Sequence, residues 1–353
     1  MFLQRLSLFN FKNHAQFEFR FDRKFICLVG NNGVGKTNIL DAIYYLSVTK
    51  SHFNYLDAQL IKHGEDYFRL EADYQNKLEI ICKYTKNKKV FEKNRSAYAK
   101  LSEHFGSIPI VMASPNDILL IIGGSEERRK FIDYTLSSID TTYMETLSAY
   151  NSFLEQRNAL LRQSNDGRVD DGLLSIYNEK LHALGHIIFE RRKAFMAEFE
   201  IEFTKIYQII SDDKEEVRLD YDSDLEGASL NQLLRESKGK DLALQRTTVG
   251  IHKDNIQFIT NDFSTKKFGS QGQQKSFLYA LRIAQHQIIK KYVGTSPILI
   301  IDDLFDKLDW MRGKNLLALL KNPTLFSQIF ISDIHKERIM EEFDEGEITV
   351  IEL

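Results

Sequence analysis

Residues 30–37 of this chain read Gly30-Asn31-Asn32-Gly33-Val34-Gly35-Lys36-Thr37. This stretch satisfies the pattern G-x-x-x-x-G-K-[ST], in which backbone amides of a glycine-rich loop and of the next helix bind phosphate groups. Residues 25–29 before it form an apolar, strand-like run, and residues 38–46 after it carry apolar side chains at helical spacing. The stretch therefore predicts a strand, a phosphate-binding loop and a helix, with a nucleotide as ligand.

The chemistry of the loop assigns a role to each residue type. Gly33 and Gly35 leave room for phosphate oxygens to approach the backbone. We expect Lys36 to reach the β- and γ-phosphates of ATP and the Thr37 hydroxyl to bind Mg²⁺. An ordinary glycine-rich turn is the alternative, and the strand and helix on either side disfavour it.

A second part of the predicted site lies far along the chain. Residues 298–301 form an apolar strand that ends in Asp302 and Asp303, as in a Walker B element. We expect Asp302 to hold Mg²⁺ and Asp303 to act as the catalytic base that orients and deprotonates the attacking water, together with Lys36 on the phosphates. The long separation from Lys36 predicts that a helical insertion splits the ATPase head.

Residues 270–275 read Ser-Gln-Gly-Gln-Gln-Lys, just before an apolar helical pattern. Ser270 and Gln273 have the spacing of a capping box, which predicts that a helix begins here. A helix N-terminus with a small residue at Gly272 can bind an anion, and we expect that anion to be the γ-phosphate of a partner subunit's ATP. Capping alone explains Ser270 and Gln273 but leaves Gly272 unexplained, because glycine weakens a helix.

The composition indicates a soluble, cytoplasmic protein. Cys27 and Cys82 lie in apolar strand-like runs and are typical of reduced core thiols. The apolar stretch 297–301 falls far short of the roughly 20 residues that a membrane span needs. The N-terminus lacks a basic head followed by an apolar region, and no Cys or His cluster has metal-site spacing.

Basic side chains are concentrated between residues 83 and 100, although the chain as a whole has a net charge of −3. Seven Lys or Arg residues there oppose the single acid Glu92, so the segment carries +6 and the rest of the chain −9. This asymmetry favours a surface that binds a polyanion, and a solvated hairpin is the alternative. Arg191 and Arg192 form a second basic position, in the helical region.

Periodicity divides the chain into three parts. Alternation with period two predicts strands at 67–74, 77–84 and 88–93, and a helical pattern begins near residue 126. The predicted domains are 1–125, an N-terminal half of the head with a β subdomain; 126–240, a helical lobe; and 241–353, a C-terminal half with residues 270–275 and 298–303.

The motifs in this order resemble the RecF family, recombination mediator ATPases related to SMC and ABC-type heads. The resemblance covers the whole chain, from residues 9–13 through 30–41, 114–133, 250–254 and 270–274 to 302–309. It implies an α/β P-loop ABC/SMC-like ATPase head with a mostly parallel sheet, an antiparallel β subdomain and a helical lobe. By this resemblance, Ser270 and Gly272 belong to the signature motif and Asp309 to the D-loop.

The resemblance also completes the predicted contacts. Those to ATP are Lys12, Asn13, Gly30, Asn31, Asn32, Gly33, Val34, Gly35, Lys36, Thr37, Asn38, Ser270, Gln271, Gly272 and Gln273, and those to Mg²⁺ are Thr37 and Asp302. Candidate DNA contacts are Lys86, Lys88, Lys89, Lys93, Arg191 and Arg192. Two positions depart from the family pattern: Asn116 stands where an acid is common, and His335 lies beyond the usual position of a switch histidine.

The function implied by the resemblance is an ATP-dependent homodimer that clamps double-stranded DNA near single-strand gaps. It would help RecR and RecO to load RecA, hydrolyse ATP slowly with stimulation by DNA, and work in the cytoplasm at the nucleoid. A transporter ATPase, a P-loop kinase and a nuclease-linked ATPase are the other classes that the phosphate loop allows.

Overall fold

A computed structural model describes residues 1–54, 56–85, 88–164, 169–304, 308–334, 336–344 and 346–353. The strands, numbered in chain order, are β1 Leu3–Phe11, β2 His14–Arg20, β3 Phe25–Val29, β4 Tyr67–Tyr74, β5 Leu78–Thr85, β6 Lys88–Lys93, β7 Ser96–Ala97, β8 Ile110–Ala113, β9 Val217–Asp222, β10 Asn255–Thr260, β11 Phe263–Ser264, β12 Ile298–Ile301, β13 Gln328–Asp333 and β14 Ile348–Glu352. The helices are α1 Lys36–Val48, α2 Ile118–Ile122, α3 Ser125–Ile139, α4 Thr141–Arg162, α5 Asp171–Ser211, α6 Leu230–Glu236, α7 Lys238–Leu244, α8 Thr265–Phe268, α9 Gln271–Val293, α10 Trp310–Lys321 and α11 Lys336–Met340.

Five parallel strands form the central sheet, in the order β14-β3-β13-β12-β8. Their short apolar runs are buried throughout in β3, β8, β12 and β13, as expected of parallel strands that are covered on both faces. Ligands bind beyond the carboxyl ends of such strands. The ends of β3, β12 and β13 therefore mark where the phosphate loop and Asp302 come together.

A six-stranded antiparallel sheet has the order β2-β1-β4-β5-β6-β7. Strand β4 lies at Tyr67–Tyr74, β5 at Leu78–Thr85 and β6 at Lys88–Lys93, so the period-two predictions for this β subdomain are confirmed to within one residue. Helix α1 is apolar on nearly all sides, and its side chains share one core with both sheets. A helix that is apolar on all sides is typically buried. The packing of α1 in this core holds its first residues against the parallel sheet.

The chain forms two compact units. The first contains residues Met1–Asp117, Ile209–Asp212 and Lys275–Leu353, and the second contains Ile118–Gln208 and Asp213–Gln274. The second unit is built from α3, α4 and α5 with the small sheet β11-β10-β9. No helix within the described residues is both long enough and apolar enough to cross a membrane.

The second unit extends further along the chain than the helical lobe predicted at 126–240. The reason is strand pairing, because β10 pairs with β9 along its whole length and β11 pairs with β10. Apolar periodicity identified the helices but gave no signal that β9 and β10, 32 residues apart along the chain, are partners. The described second unit therefore ends at Gln274.

Candidate nucleotide site

The phosphate loop follows β3 directly and ends in α1, as the sequence predicts. Gly35 is the N-cap of α1 with φ 113°, a conformation that favours glycine. A Cβ atom at Gly35 would lie 2.3 Å from the Nε2 atom of His14, so no other residue fits there without a shift. Gly33 also has a positive φ, 84°, and lies at the exposed crest of the loop with Asn31 and Asn32.

Residues at the turn between β1 and β2 form hydrogen bonds with the phosphate loop and the start of α1. Asn13 donates from Nδ2 to the carbonyl of Val34 at 3.0 Å and accepts from Nδ2 of Asn38 at 2.8 Å. The Nε2 atom of His14 lies 3.1 Å from the carbonyl oxygen of Gly35. Asn13 and Asn38 thus lie against the loop, and His14 is a further loop contact that the sequence analysis missed, since a lone histidine in a turn carries no distinctive signal.

The ammonium group of Lys36 is folded back over the loop. Its Nζ atom donates to the carbonyl of Gly30 at 2.6 Å and to that of Asn31 at 3.0 Å, and the residue is only 6% exposed. The ammonium therefore lies within the loop, where phosphate oxygens could replace these carbonyls as acceptors.

The two distant halves of the predicted metal site meet. The Thr37 hydroxyl lies 3.1 Å from Oδ1 and 2.9 Å from Oδ2 of Asp302, although 265 residues separate them in the chain. Asp302 is 3% exposed, and its Oδ1 accepts a 2.5 Å hydrogen bond from the hydroxyl of Ser332. The same Ser332 oxygen accepts from the backbone amide of Asp303 at 2.9 Å.

Ser332 therefore positions both Walker B residues, yet sequence analysis missed it. It lies near the end of β13, the strand that pairs with both β12 and β3. Because a serine after an apolar run is common in any strand, only the strand order shows that its hydroxyl faces Asp302. Asp303 has φ 53°, a left-handed conformation that Asp tolerates better than most residues.

A hydroxyl and a carboxylate in contact suit Mg²⁺, which binds oxygen atoms and keeps several waters or phosphate oxygens as ligands. Among the described residues, no cluster of three or more His, Cys, Asp or Glu could hold a metal by itself. The protein oxygens present thus fit a cation that is shared with nucleotide phosphates rather than one enclosed by protein.

Lys12, a predicted ATP contact, has a partner within the protein. Its ammonium forms a 2.6 Å ion pair with Asp41, a fully buried carboxylate on α1. A buried carboxylate needs a paired cation, so this contact commits the Lys12 charge to the packing of α1. The sequence analysis gave Asp41 no role of its own, because it sits within an apolar helical pattern.

The predicted helix start at Ser270 is confirmed, with both halves of the capping box formed. The Ser270 amide donates to Oε1 of Gln273 at 2.8 Å, and the Gln273 amide donates to the Ser270 hydroxyl at 3.2 Å. Ser270 and Gln271 are exposed and Gly272 is half-buried. The side chain of Gln273 also donates to Glu215 at 2.8 Å, which leaves the exposed Ser270 and Gln271 as the accessible part of the segment.

Asp309 caps the next helix. Its Oδ1 atom accepts from the amide of Arg312 at 2.9 Å, and its Oδ2 atom lies 3.0 Å from Nε of Arg312. The guanidinium also donates to the hydroxyl of Ser276 on α9 at 3.1 Å. Asp309 and the helix α9 are thus connected through one arginine.

The candidate DNA contacts do not share one surface. Residues alternate between the two faces of a strand, so Lys88 lies on the face opposite to Lys89 and Lys93. Lys89 is paired with Asp57 at 2.6 Å and donates to the carbonyl of Thr49, which corrects its assignment as a phosphate contact. Lys86 and the possible switch residue His335 lie outside the described residues.

Arg192 is likewise not a surface residue. It is 1% exposed, and its guanidinium pairs with Asp133 at 2.8 Å and with Asp254 at 2.7 Å. Its neighbour Arg191 is exposed, with Asp140 at 3.7 Å. The prediction that Arg192 contacts DNA is therefore wrong, because its charge is used inside the second unit.

Asn116 stands in a short turn of 3₁₀ helix, Pro115–Asp117, where the acidic residue with partners is Asp117. Asp117 accepts from the Ser114 amide at 2.8 Å and pairs with Arg282 at 3.0 Å. Asp117, which matches the second acid of the family pattern, thus has defined partners, and Asn116 is exposed.

Comparison with known proteins agrees with this site. Residues 1–293 match the family of AAA ATPase domains. The chain is 48% identical to the DNA replication and repair protein RecF of Flavobacterium johnsoniae over 343 residues, which cover 96% of this chain and 95% of that protein. It is 41% identical to RecF of Bacteroides fragilis over 344 residues, 96% of this chain and 92% of that protein.

Solved structures give the same result. The recombination mediator protein RecF of the RecFOR pathway, solved as RecF-ATP, superposes with a TM-score of 0.84 at 28% identity, covering 95% of this chain and 92% of that one. An SMC head bound to the winged-helix domain of ScpA superposes with a TM-score of 0.61 at 17% identity, covering 100% and 94%, which shows the fold alone. The chain therefore belongs to the RecF family of DNA replication and repair proteins, with an ATPase domain of the SMC-head fold.

Proposed function

We propose that this protein is an ATP-controlled DNA clamp of recombinational repair and replication restart. One observation carries the ATP part of the proposal: the Thr37 hydroxyl contacts both carboxylate oxygens of Asp302, at 3.1 and 2.9 Å. This is the protein half of a Mg²⁺ site for a bound nucleoside triphosphate. Lys36 would bind the β- and γ-phosphates, and Asp303 would act as the base for the attacking water.

ATP would be held between two copies of the chain, with the exposed Ser270 and the adjacent Gly272 of one copy facing the γ-phosphate on the other. Such a composite site makes closure depend on bound ATP and opening depend on its loss, because only the closed state gains the second set of contacts. Hydrolysis would be slow, stimulated by DNA, and would release the DNA. The partners we propose are RecR and RecO, with RecA loading at gapped DNA in the cytoplasm.

The test combines three variants with light scattering and ATP binding. Lys36→Ala should weaken ATP binding and abolish ATP-driven dimers, because the loop loses its phosphate cation. Asp303→Asn should bind ATP and accumulate dimers, since the base is lost while Asp302 remains. Ser270→Arg should bind ATP as a monomer without dimerising.

Trp310 offers an independent readout for these measurements. It is the only tryptophan of the chain, it is 71% exposed, and it follows Asp309 directly. Its fluorescence should change with ATP in the wild type and in Asp303→Asn but not in Ser270→Arg. Wild-type ATP affinity in Lys36→Ala would contradict the nucleotide site, and dimers of Ser270→Arg would contradict the composite site.

For the DNA surface we propose the outer face of the antiparallel sheet, at the end that carries Lys83 and Lys88. Phe9 is 40% exposed and stacks on Tyr67 with ring centroids 5.7 Å apart, and Lys83 lies 5.2 Å above the Tyr67 ring. The strand register puts Arg69 on the same face beside Lys83. Cations next to exposed aromatic rings are the combination that binds nucleic acid strands.

A matched pair of variants on β6 tests this surface. Lys88→Glu and Lys93→Glu make the same charge change on opposite faces of one strand. Only Lys88→Glu should weaken DNA binding and flatten the dependence of log affinity on log salt, by roughly 0.9 per lost phosphate contact. Equal effects of the two variants would contradict the assignment to the outer face.

A further inference from the structure

We propose that His52 is a positioning residue that transmits the state of the phosphate loop to α9, the helix that begins after Ser270. The inference rests on the proposed function, since it concerns how the same site controls dimer closure. It names a route that the motifs do not include: from α1 to the segment after it, then to Asp117, and then to Arg282 on α9. The three steps are contacts between side chains or backbone of the first unit.

The route begins one helical turn after Thr37, at the buried Asp41. Its Oδ2 atom pairs with Lys12 at 2.6 Å and accepts from the Ser51 hydroxyl at 2.6 Å. Its Oδ1 atom accepts from the backbone amide of His52 at 2.8 Å. The segment that follows α1 is thus bound directly to the helix whose first residues hold the phosphate loop.

The route continues through the imidazole ring of His52. Its Nε2 atom lies 3.1 Å from Oδ1 of Asp117, and the same carboxylate oxygen is 3.0 Å from Nη2 of Arg282. Burial alone would raise the pKa of Asp117, but Arg282 and then His52 outweigh it and hold that pKa well below its usual range. Asp117 is therefore an anion that joins a ring on one side to a guanidinium on the other.

Arg282 is a charged residue in a helix whose neighbouring positions are mainly buried and apolar, among them Phe277, Leu278 and Leu281. An ion pair whose side chains are only 13% and 11% exposed, as here, is weak evidence for stability, because apolar residues of similar volume often pack as well or better. Its best-attested role is to fix the register of two elements. Here it would fix α9 relative to Asp117 and, through His52, relative to α1.

The position of Arg282 on α9 determines how a displacement of α1 would affect this helix. Arg282 lies twelve residues after Ser270, about 18 Å along a helix that rises 1.5 Å per residue. A small displacement of α1 on phosphate binding would move Asp41 and with it the His52 backbone. Because Asp117 binds the His52 ring and Arg282 together, the displacement would reach α9 as a shift of the whole helix, including the signature segment.

The experiment uses the full chain and separates transmission from nucleotide binding. His52→Leu removes the ring nitrogen, His52→Gln keeps an amide that can donate to Asp117, and His63→Leu is the matched control at an exposed histidine. Each variant is measured for affinity for a non-hydrolysable ATP analogue, for ATP-driven self-association, and for the kcat and KM of hydrolysis.

We expect His52→Leu to bind the analogue within about twofold of wild type while association and kcat fall at least tenfold. His52→Gln should recover most of both, and His63→Leu should match wild type. The inference is overturned if His52→Leu associates and hydrolyses normally, or if its affinity for the analogue falls as much as its association, since the histidine would then only support the loop. Failure of the wild type to associate with ATP would instead contradict the proposed function.

A double-variant comparison covers the case in which His52→Leu does not fold. Asp117→Asn keeps the shape of the side chain but loses the charge that Arg282 and His52 share. Its effect on kcat should equal that of Arg282→Gln, and the double variant should be no worse than either single variant, because all three interrupt one route. Multiplying losses in the double variant would show separate roles and would overturn the inference.

Discussion

At the scale of single residues, the side chain of Ser332 contacts both Walker B residues. Its one oxygen atom donates to Asp302 at 2.5 Å and accepts from the Asp303 amide at 2.9 Å. Residues that orient metal ligands typically change affinity or activity by about 10–100-fold when they are replaced. We therefore expect Ser332→Ala to slow ATP hydrolysis by about that factor and to raise the Mg²⁺ concentration needed for half-maximal rate.

The control for Ser332→Ala is Ser327→Ala, in the turn just before β13, where the side chain is partly exposed. It should hydrolyse ATP like wild type. Unchanged Mg²⁺ dependence in Ser332→Ala would show that Asp302 keeps its orientation without the hydroxyl.

At the scale of elements, the geometry of α5 places the adjacent residues Arg191 and Arg192 in different environments. Neighbouring side chains on a helix point about 100° apart, so Arg191 faces solvent while Arg192 enters the core of the second unit and pairs with Asp133 and Asp254. Removing one partner of a buried ion pair costs about 3–5 kcal/mol, whereas an exposed pair contributes about 0–1 kcal/mol. Arg192→Ala should therefore lower the unfolding free energy by several kcal/mol, and Arg191→Ala should barely change it.

Urea denaturation of the two variants checks this prediction, with helix content as the signal. Comparing Arg191→Ala with Arg192→Ala also distinguishes a loss of folding stability from a loss of DNA binding. If Arg192→Ala unfolds at the wild-type urea concentration, the buried network does not stabilise the second unit.

These elements also show how far sequence reasoning reaches. Period-two alternation predicted β4 and β6 to the residue, and the phosphate loop predicted β3 and α1, because both signals are local. The same alternation could have separated Lys88 from Lys89, and helical spacing could have separated Arg191 from Arg192. The contacts of Ser332, Asp41 and His52 could not be predicted, since each depends on strand order or on a loop packed against a distant segment.

At the scale of the whole molecule, buried histidines predict how stability depends on pH. Burial lowers the pKa of His252 to about 4 and that of His286 to about 3, and it also lowers the pKa of His104. In the unfolded chain these groups bind protons near pH 6.5. Stability should therefore be complete above about pH 6.5 and fall as the pH decreases from there towards 4, by up to about 1.4 kcal/mol per pH unit for each histidine.

Urea titrations at pH 7, 6 and 5 measure this dependence. Replacing His252 by a residue that does not titrate, as in His252→Gln, should make the slope shallower, while His63→Gln at an exposed site should leave it unchanged. A wild-type unfolding free energy that stays constant between pH 7 and 5 would contradict the prediction.

The order of strands in the parallel sheet has a consequence for how the protein is made. Both hydrogen-bonded neighbours of β3 are β13 and β14, which lie about 300 residues further along the chain, and the amide of Leu353 donates to the carbonyl of Val29 at 3.0 Å. A ribosome adding roughly 5–20 residues per second needs tens of seconds to cover that distance. Throughout that interval, the nascent chain carries a complete phosphate-loop sequence on a strand without its pairing partners, and for most of it Thr37 has no Asp302 to contact. We therefore expect a chain interrupted before β13 to bind ATP poorly, because β3 would lack its partner strands and the phosphate loop its support.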